Sequence, residues 1–379
     1  MGMSSRDLNR RQFLKASAQA AAGLSVASSL GACSTLDRIV LGDFKEDPDR
    51  PIILGGGLAG LSAAYHLKKN AIPFHVYEAS PRIGGRMHSV PEFFRGQTVA
   101  ELGAEFFTAD QKLVFEIAKE LRIETTEVAE IETKARVRRL SRVLPLSELS
   151  GELRKMQRSA ARAENPQTLR AQSVLEWAKS RSKDTVFTNL VNEWTLERYG
   201  TTADEVSAEA FAGTFDRMKN PLGLWLDGRF RFRGGTSSLA QALFDRTAGF
   251  QPDRTYSFRH RLVAVRKKAK GMDLVFATPE GTKSIFARQV ICALPLAVLR
   301  DVEGLSQFQG PWSDEKAFKV GAHSKFIYSY QERFWSQGLD QSKLLDFGDG
   351  QTVWESSYRL NPLFQFRQGV LSVLWGGPA

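Results

Sequence analysis

The stretch that most constrains the fold of this chain runs from Pro51 to Arg86, PIILGGGLAGLSAAYHLKKNAIPFHVYEASPRIGGR. A short apolar run, Ile52-Ile53-Leu54, predicts a strand and leads into Gly55, Gly57 and Gly60 in G-x-G-x-x-G spacing. The apolar period that follows predicts a helix over residues 58–69 with Leu58, Leu61 and Tyr65 on one face, and a second strand over 74–77 ends at Glu78. Strand, glycine turn, helix, strand and terminal acid in this order form a dinucleotide-binding βαβ unit. Gly55 permits the tight turn, Gly57 lets the backbone approach a pyrophosphate, and Gly60 lets helix and strand pack closely. The helix start, Leu58-Ala59, offers free amides and a partial positive charge to the phosphates. Glu78, 21 positions after Gly57, stands where an acid grips ribose hydroxyls.

Past Glu78 the sequence continues as E-A-x-x-R-x-G-G-R, here Glu78, Ala79, Arg82, Gly84, Gly85 and Arg86. This resembles the extended fingerprint of the flavin-containing amine oxidase family, which includes the monoamine oxidases and L-amino-acid oxidases and shares its fold with polyamine oxidases and related desaturases. A nicotinamide enzyme has no general need for a second glycine pair with two arginines at this place; an FAD site, whose pyrophosphate stays bound through every turnover, can use both. The resemblance therefore implies non-covalent FAD. It also implies an α/β fold, in which a Rossmann-like FAD-binding domain, built from the βαβ unit and a β-meander, carries an inserted, largely helical α+β substrate domain. On that pattern residues 50–125 and 228–300 form the FAD-binding domain, and 126–227 and 301–379 the substrate domain.

Ahead of the fingerprint, Asn9-Arg10-Arg11-Gln12-Phe13-Leu14-Lys15 resembles a twin-arginine export signal, followed by an uncharged Ala/Ser-rich run to Ala32. Leu30-Gly31-Ala32-Cys33 resembles a bacterial lipobox, which would make Cys33 the lipidated first residue of a mature protein held at the membrane; an ordinary cleaved signal or a weak anchor helix is the alternative. The expectation is a signal over 1–32, a polar tether over 33–49 and a location on the periplasmic side of a bacterial inner membrane. A route for folded cargo suits a protein that must take up FAD before export.

The formal net charge of +10 is spread along the chain without a nucleic-acid reader motif, so it points to a basic solvated surface rather than to nucleic acid. The Lys/Arg run around Arg136–Arg142 reads in the same way, as a solvated face. Besides Cys33 there is only Cys292, so no disulfide framework is possible within the folded part. Cys292 lies in the apolar run Val290–Leu294 and reads as a small buried residue. His66, His75, His88, His260 and His323 lack ligand spacing, and no metal site is expected.

Val99–Phe107 (VAELGAEFF) resembles the family's acid-x-Gly-Gly/Ala segment, whose backbone passes along the flavin, which makes Gly103 and Ala104 candidate contacts. In L-amino-acid oxidases the third position after the first glycine is an arginine that holds the substrate carboxylate. Here it is Phe106, which argues against free amino acids; a plain core role for Phe106 and Phe107 is the other reading. An amphipathic helix is expected over 112–121 with Leu113, Ile117 and Leu121 inward, and further helices over 146–163, 173–183, 186–198 and 207–215, with a basic strand-like patch over 135–146. Arg233–Leu239 (RGGTSSL) returns the chain to the flavin domain, and strands over 260–267, 272–278, 284–287 and 289–294 read as a β-meander. The resemblance places the backbone of Val263 against adenine.

Ser324-Lys325-Phe326-Ile327, with Phe334-Trp335 at nine- and ten-residue offsets from the lysine, is similar to the segment in which the family's lysine holds a water against flavin N5. Lys325 is thus the candidate catalytic residue, in an oxidation that would take an amine and O₂ and release H₂O₂. The family pattern continues beyond the strand equivalent to Val370–Trp375 into a last flavin segment, and this sequence stops at Ala379. The expectation is a fragment of a longer product, a chain completed by another, or a remnant. The alternatives are a desaturase of the same fold, against which Lys325 in its Phe-Trp context argues, and a non-catalytic, membrane-anchored protein.

Overall fold

The computed structural model describes residues 47–94, 98–127, 136–139, 142–145, 150–160, 165–216, 230–249, 252–308, 320–334, 345–348, 351–356 and 369–377. The chain divides at Pro48 into two units, and the first lies almost wholly outside the described residues, as do the export motif, Cys33 and the tether. The second unit begins at Asp49 and holds every element named below.

The fingerprint forms β1 (Ile52–Leu54), α1 (Leu58–Lys69) and β2 (His75–Tyr77). A hairpin of β3 (Ser89–Phe94) and β4 (Thr98–Glu101) comes next, then α2 (Lys112–Glu120) and β5 (Thr125–Glu127). On α2 the inward face is Val114, Ile117, Ala118 and Leu121, whereas Leu113 is 72% exposed. The sequence period alone allows either register, and contacts with the neighbouring core select this one.

A short hairpin, β6 (Arg136–Arg139) and β7 (Arg142–Pro145), precedes five helices: α3 (Ser150–Ala160), α4 (Pro166–Ala171), α5 (Val174–Arg181), α6 (Thr185–Tyr199) and α7 (Ala208–Asp216). The arginine side chains of the hairpin are outside the described residues. α5 opens on a capping box of Ser173 and Glu176, and α6 runs from the Asp184 cap to Gly200 in the left-handed conformation. α4 is not legible from periodicity, because its six residues are too short to show one; Asn165 and Pro166 are its only signature.

The chain continues through β8 (Phe230–Phe232), α8 (Ser237–Ala248), β9 (Tyr256–Ser257), β10 (Arg261–Lys268), β11 (Gly271–Thr278), β12 (Gly281–Ala287) and β13 (Val290–Cys292). It ends in β14 (His323–Tyr330), β15 (Leu345–Gly348), β16 (Gln351–Glu355) and β17 (Gly369–Gly376). Among the described residues no helix is long and apolar enough to cross a membrane.

β13, β1, β2 and β9 form a parallel sheet in that order. Side chains on a strand alternate between faces, and β1 uses both. Ile53, with Val76, packs on a cluster that includes Leu61, Leu239 and Leu243 from α1 and α8. Ile52, Leu54 and Tyr77 pack instead on Leu262, Leu274, Phe276 and Ile285 of the antiparallel β10-β11-β12 meander. The result is helices, parallel sheet and meander in three layers, the layout of a Rossmann-like dinucleotide domain.

The structure differs from two further sequence expectations. The apolar run after the meander is not its fourth strand: β13 joins the parallel sheet, with Ile52 opposite Val290 and Leu54 opposite Cys292. Cys292 is exposed rather than buried, because β13 is the edge of that sheet among the described residues. A second, six-stranded sheet runs β14-β17-β16-β15-β6-β7. The five helices gather around Trp177, Phe187, Trp194 and Phe211, and the sheet joins that core through Trp354 and Leu374.

Candidate cofactor and active site

The turn between β1 and α1 is shaped by the absence of side chains. Gly55 has φ +103°, and a Cβ on Gly60 would lie 1.8 Å from the Gly55 carbonyl oxygen. Gly57 faces the second glycine pair: the Gly84 amide donates to the Gly56 carbonyl at 2.8 Å, and a Cβ on Gly85 would come within 3.2 Å of the Gly57 Cα. α1 starts with no side-chain cap and no acid in its first turn, and Ala59 is exposed there while Leu58 is half-buried. These unfilled amides at the positive end of a twelve-residue helix fit a pyrophosphate.

Glu78 accepts from the Gly56 amide at 2.6 Å and from the Ser80 amide at 2.8 Å. The acid thus ties the glycine turn to the end of β2, and each carboxylate oxygen keeps a lone pair for a ribose hydroxyl. Ala79, beside it, is exposed.

The two fingerprint arginines differ. Arg82 donates to the carbonyls of Ile83, Gly85 and Met87 at 3.1, 2.8 and 3.4 Å, so its guanidinium braces the loop that carries the second glycine pair. Arg86 is exposed, and its guanidinium has no hydrogen-bond partner among the described residues. It is a cation available to a diphosphate.

The Arg86 backbone in turn supports the next segment. Its carbonyl accepts from the Ala104 amide at 2.9 Å and leaves no room for a side chain on Gly103, whose Cβ would lie 1.9 Å away. Buried Glu101 pins this segment to the start of α8, accepting from the Thr236 amide at 2.7 Å, the Thr236 hydroxyl at 2.9 Å and the Ser89 hydroxyl at 2.8 Å. Gly57, Gly85, Arg86 and Gly103 therefore stand in a continuous backbone row, with Gly85 and Ala104 exposed along it.

Val263 sits at a break in the β10-β11 pairing, between Leu262 and Ala264, and is half-buried. Its carbonyl already accepts from the Glu303 amide at 3.0 Å, so a contact of this backbone with adenine would share that carbonyl with Glu303.

At the far end of the row lies Lys325. Its Nζ donates to Glu105 Oε2 at 2.8 Å and to the Gly103 carbonyl at 3.3 Å, and it stands 5.1 Å over the Trp354 ring. Ser356 Oγ lies 3.0 Å from Glu105 Oε1, and Ser372 Oγ lies 2.6 Å beyond it. The lysine and glutamate side chains are 9% and 2% exposed.

The sequence names Lys325 and Gly103 as candidates, and the fold brings the two into contact, whereas Glu105, Trp354, Ser356 and Ser372 emerge beside them only in the fold. An acid inside the apolar run Ala104–Phe107 is the one available signal; the other three come together only through the sheet register, in which Trp354 pairs with Ser372. Phe107 is core, stacked 4.7 Å from Phe232, whereas Phe106 is half-buried with its ring 6.0 Å from Trp354. Phe334 is exposed, and Trp335 lies outside the described residues. Among the described residues no group of three or more His, Cys, Asp or Glu could hold a metal.

A short stretch of the sequence matches curated proteins. It is 35% identical over 83 residues to human amine oxidase [flavin-containing] B and 36% identical over 81 residues to an amine oxidase [flavin-containing] of Oncorhynchus mykiss; each match covers 21% of this chain and 15% of the relative's length. Of solved structures, cyclohexylamine oxidase from Brevibacterium oxydans IH-35A superposes with a TM-score of 0.73 at 18% identity, covering 87% of this chain and 76% of that one. Putrescine oxidase with bound putrescine gives 0.69 at 18% identity, over 87% and 76%. These likenesses establish the fold. The model of the flavin containing amine oxidoreductases matches residues 58–378. With that span matched and a glycine row shaped for a dinucleotide, the chain belongs to the flavin containing amine oxidoreductase family, whose cofactor is FAD.

Proposed function

We propose that the protein is an FAD-dependent amine oxidase, and the observation that carries this reading is Lys325, its side chain 9% exposed and bonded to the Gly103 carbonyl at the end of the glycine row. The flavin would supply the redox chemistry, accepting a hydride at N5 from the carbon next to the amine nitrogen and passing two electrons and two protons to O₂ to give H₂O₂. The residues of this chain bind, orient and shield. The α1 amides and Arg86 take the pyrophosphate, Glu78 the ribose, and the backbone around Gly103 and Ala104 lines the approach to Lys325. Buried Trp354 lies beside the lysine and half-buried Phe106 packs near that tryptophan, an apolar surface that would favour an amine in its neutral form and exclude water. The α3–α7 cluster and the six-stranded sheet form the substrate side, residues 126–227 and 301–379.

The test is direct. The chain from residue 34 onward, made with excess FAD, is passed over a sizing column, and the protein peak is read for flavin absorption. Cyclohexylamine, benzylamine and putrescine are then added without oxygen. Bleaching of protein-bound flavin, with amine-dependent peroxide once air is admitted, supports the reading. Tightly bound flavin that no amine bleaches, but that a polyene or porphyrinogen does, would move the assignment to a desaturase.

The location is part of the proposal and rests on the Arg10-Arg11 pair and the Leu30–Cys33 motif. Export by the twin-arginine route, followed by acylation of Cys33, would place the folded flavoprotein on the periplasmic face. Radiolabelled palmitate incorporated by the full chain and lost in Cys33→Ala is the expected result; label retained by the variant excludes Cys33 as the anchor.

A further inference from the structure

Lys325 and Glu105 lie 220 positions apart and form an ion pair with almost wholly buried side chains, one on β14 and the other just after Gly103-Ala104. The pair is built rather than incidental. Ser356 Oγ lies within hydrogen-bond distance of both Glu105 Oε1 and Ser372 Oγ, at 3.0 and 2.6 Å. Ser356 and Ser372 are 3% and 0% exposed, so the carboxylate is fixed from behind by a dry relay anchored in β17. On the other side, an ammonium has three N–H groups. Glu105 and the Gly103 carbonyl take two, and the Trp354 ring occupies the space at 5.1 Å. One N–H is left to donate.

We propose that Glu105 is the positioning residue for Lys325. It holds the ammonium in a single orientation, with one N–H directed to a ligand along the glycine row, and it cancels the lysine's charge. A flavin in that row then meets a hydrogen-bond donor without the field of a bare cation, and an amine substrate approaches a neutral pair. An unpaired ammonium in so buried a place would be costly and would favour electron-rich neighbours; the carboxylate removes both effects. This inference rests on the proposal that Lys325 faces the flavin, and the experiment separates the two.

Full chain loaded with FAD is prepared as wild type, Glu105→Gln, Lys325→Met, the double variant and Glu105→Asp. The midpoint potential of the bound flavin is measured by slow enzymatic reduction against a reference dye, and thermal melting is followed on the FAD-free proteins. Glu105→Gln is expected to shift the potential upward, since the uncompensated ammonium favours reduced flavin. Lys325→Met shifts it downward, and the double variant and Glu105→Asp return close to wild type. In melting, the two single variants together lose more than the double variant does.

A potential that moves in Lys325→Met but not in Glu105→Gln overturns the role of Glu105 and leaves the role of Lys325 intact. Coupled melting with an unmoved potential in Lys325→Met shows a true pair away from the flavin, which overturns both. Additive melting overturns the pair itself. Should Glu105→Gln not fold, Ser356→Ala leaves the carboxylate in place with one donor fewer to offset its charge, and is expected to shift the potential downward by less than Lys325→Met does; no shift there counts against the proposal.

Discussion

A Cβ placed on Gly60 would lie 1.8 Å from the carbonyl oxygen of Gly55, whereas one on Gly57 would meet nothing closer than the Gly85 Cα at 3.9 Å. The two fingerprint glycines therefore do different work. Gly60→Ala forces backbone against backbone and is expected to cost about 3 kcal/mol or more, seen as a large fall in the FAD-free melting temperature. Gly57→Ala is expected to fold as wild type, because Gly57 has φ −76° and open space at its Cβ. Its methyl would intrude where a pyrophosphate must approach the backbone, so FAD affinity should drop by roughly 10-fold or more, about 1.4 kcal/mol. Undiminished FAD binding by Gly57→Ala in a fluorescence titration would show that the phosphates lie elsewhere.

The arginines divide in the same manner. Arg82 donates to three loop carbonyls and Arg86 to none of the described groups. Arg86→Ala is expected to leave FAD-free stability unchanged and to weaken FAD by roughly 10- to 100-fold, the value of a lost charge-assisted contact of about 1.5–3 kcal/mol. Arg82→Ala should lower melting with or without FAD, since its loss frees the loop around Gly84-Gly85. Equal melting of the two variants without FAD would contradict this division.

Glu101 tests how the Gly103-Ala104 segment is held. Its carboxylate takes both the amide and the hydroxyl of Thr236 and the Ser89 hydroxyl, all buried. In Glu101→Gln the two hydroxyls can turn to accept from the new amide group while the carbonyl still serves the Thr236 amide, so a loss of about 1 kcal/mol is expected. Glu101→Leu strands that amide and should cost about 3 kcal/mol, as the sum of an orphaned donor and two lost bonds. Denaturant titration of the two variants gives the comparison, and equal losses would mean that packing, not hydrogen bonding, fixes the segment.

The βαβ unit is legible in the sequence because its constraints are local. Ile52–Leu54 alternates between faces, the glycines fall at fixed offsets, and the helix emerges over Leu58–Lys69 as its apolar period implies. The sheet to which Val290–Cys292 belongs is not legible: an apolar run states that it is a strand but not which neighbour it pairs with, and here the partner is β1, more than two hundred positions earlier. The relay behind Lys325 is hidden for the same reason. Ser356, Ser372 and Trp354 carry no motif in the sequence and meet Glu105 and Lys325 only once β14, β16 and β17 are in register. Motifs report what the backbone must do at one place, and side-chain constellations report how distant strands align.

The pH dependence of folding turns on His75, at the start of β2. Burial, reinforced by the charge of Arg50, pushes its pKa down to about 4, and the ring bonds Ser257 through Nε2 at 2.8 Å. The folded protein thus holds His75 neutral at a pH where the unfolded chain, with an ordinary value near 6.5, already binds a proton. Because the unfolded state takes up more protons, stability rises with pH across this window: His75 costs nothing above about pH 6.5, and its neutral burial becomes a growing penalty as pH falls towards 4. The full penalty is on the order of 3 kcal/mol, from a shift of two to three units at about 1.4 kcal/mol each. Denaturant midpoints followed from neutral pH down towards the folded-state value should fall steadily for wild type and clearly less for His75→Gln, which cannot be protonated. Glu78 directly follows β2, so FAD should be released over the same range in wild type and held to lower pH in the variant. Parallel pH profiles for the two proteins would place the acid sensitivity in the carboxylates, and His75 would then be a packing residue only.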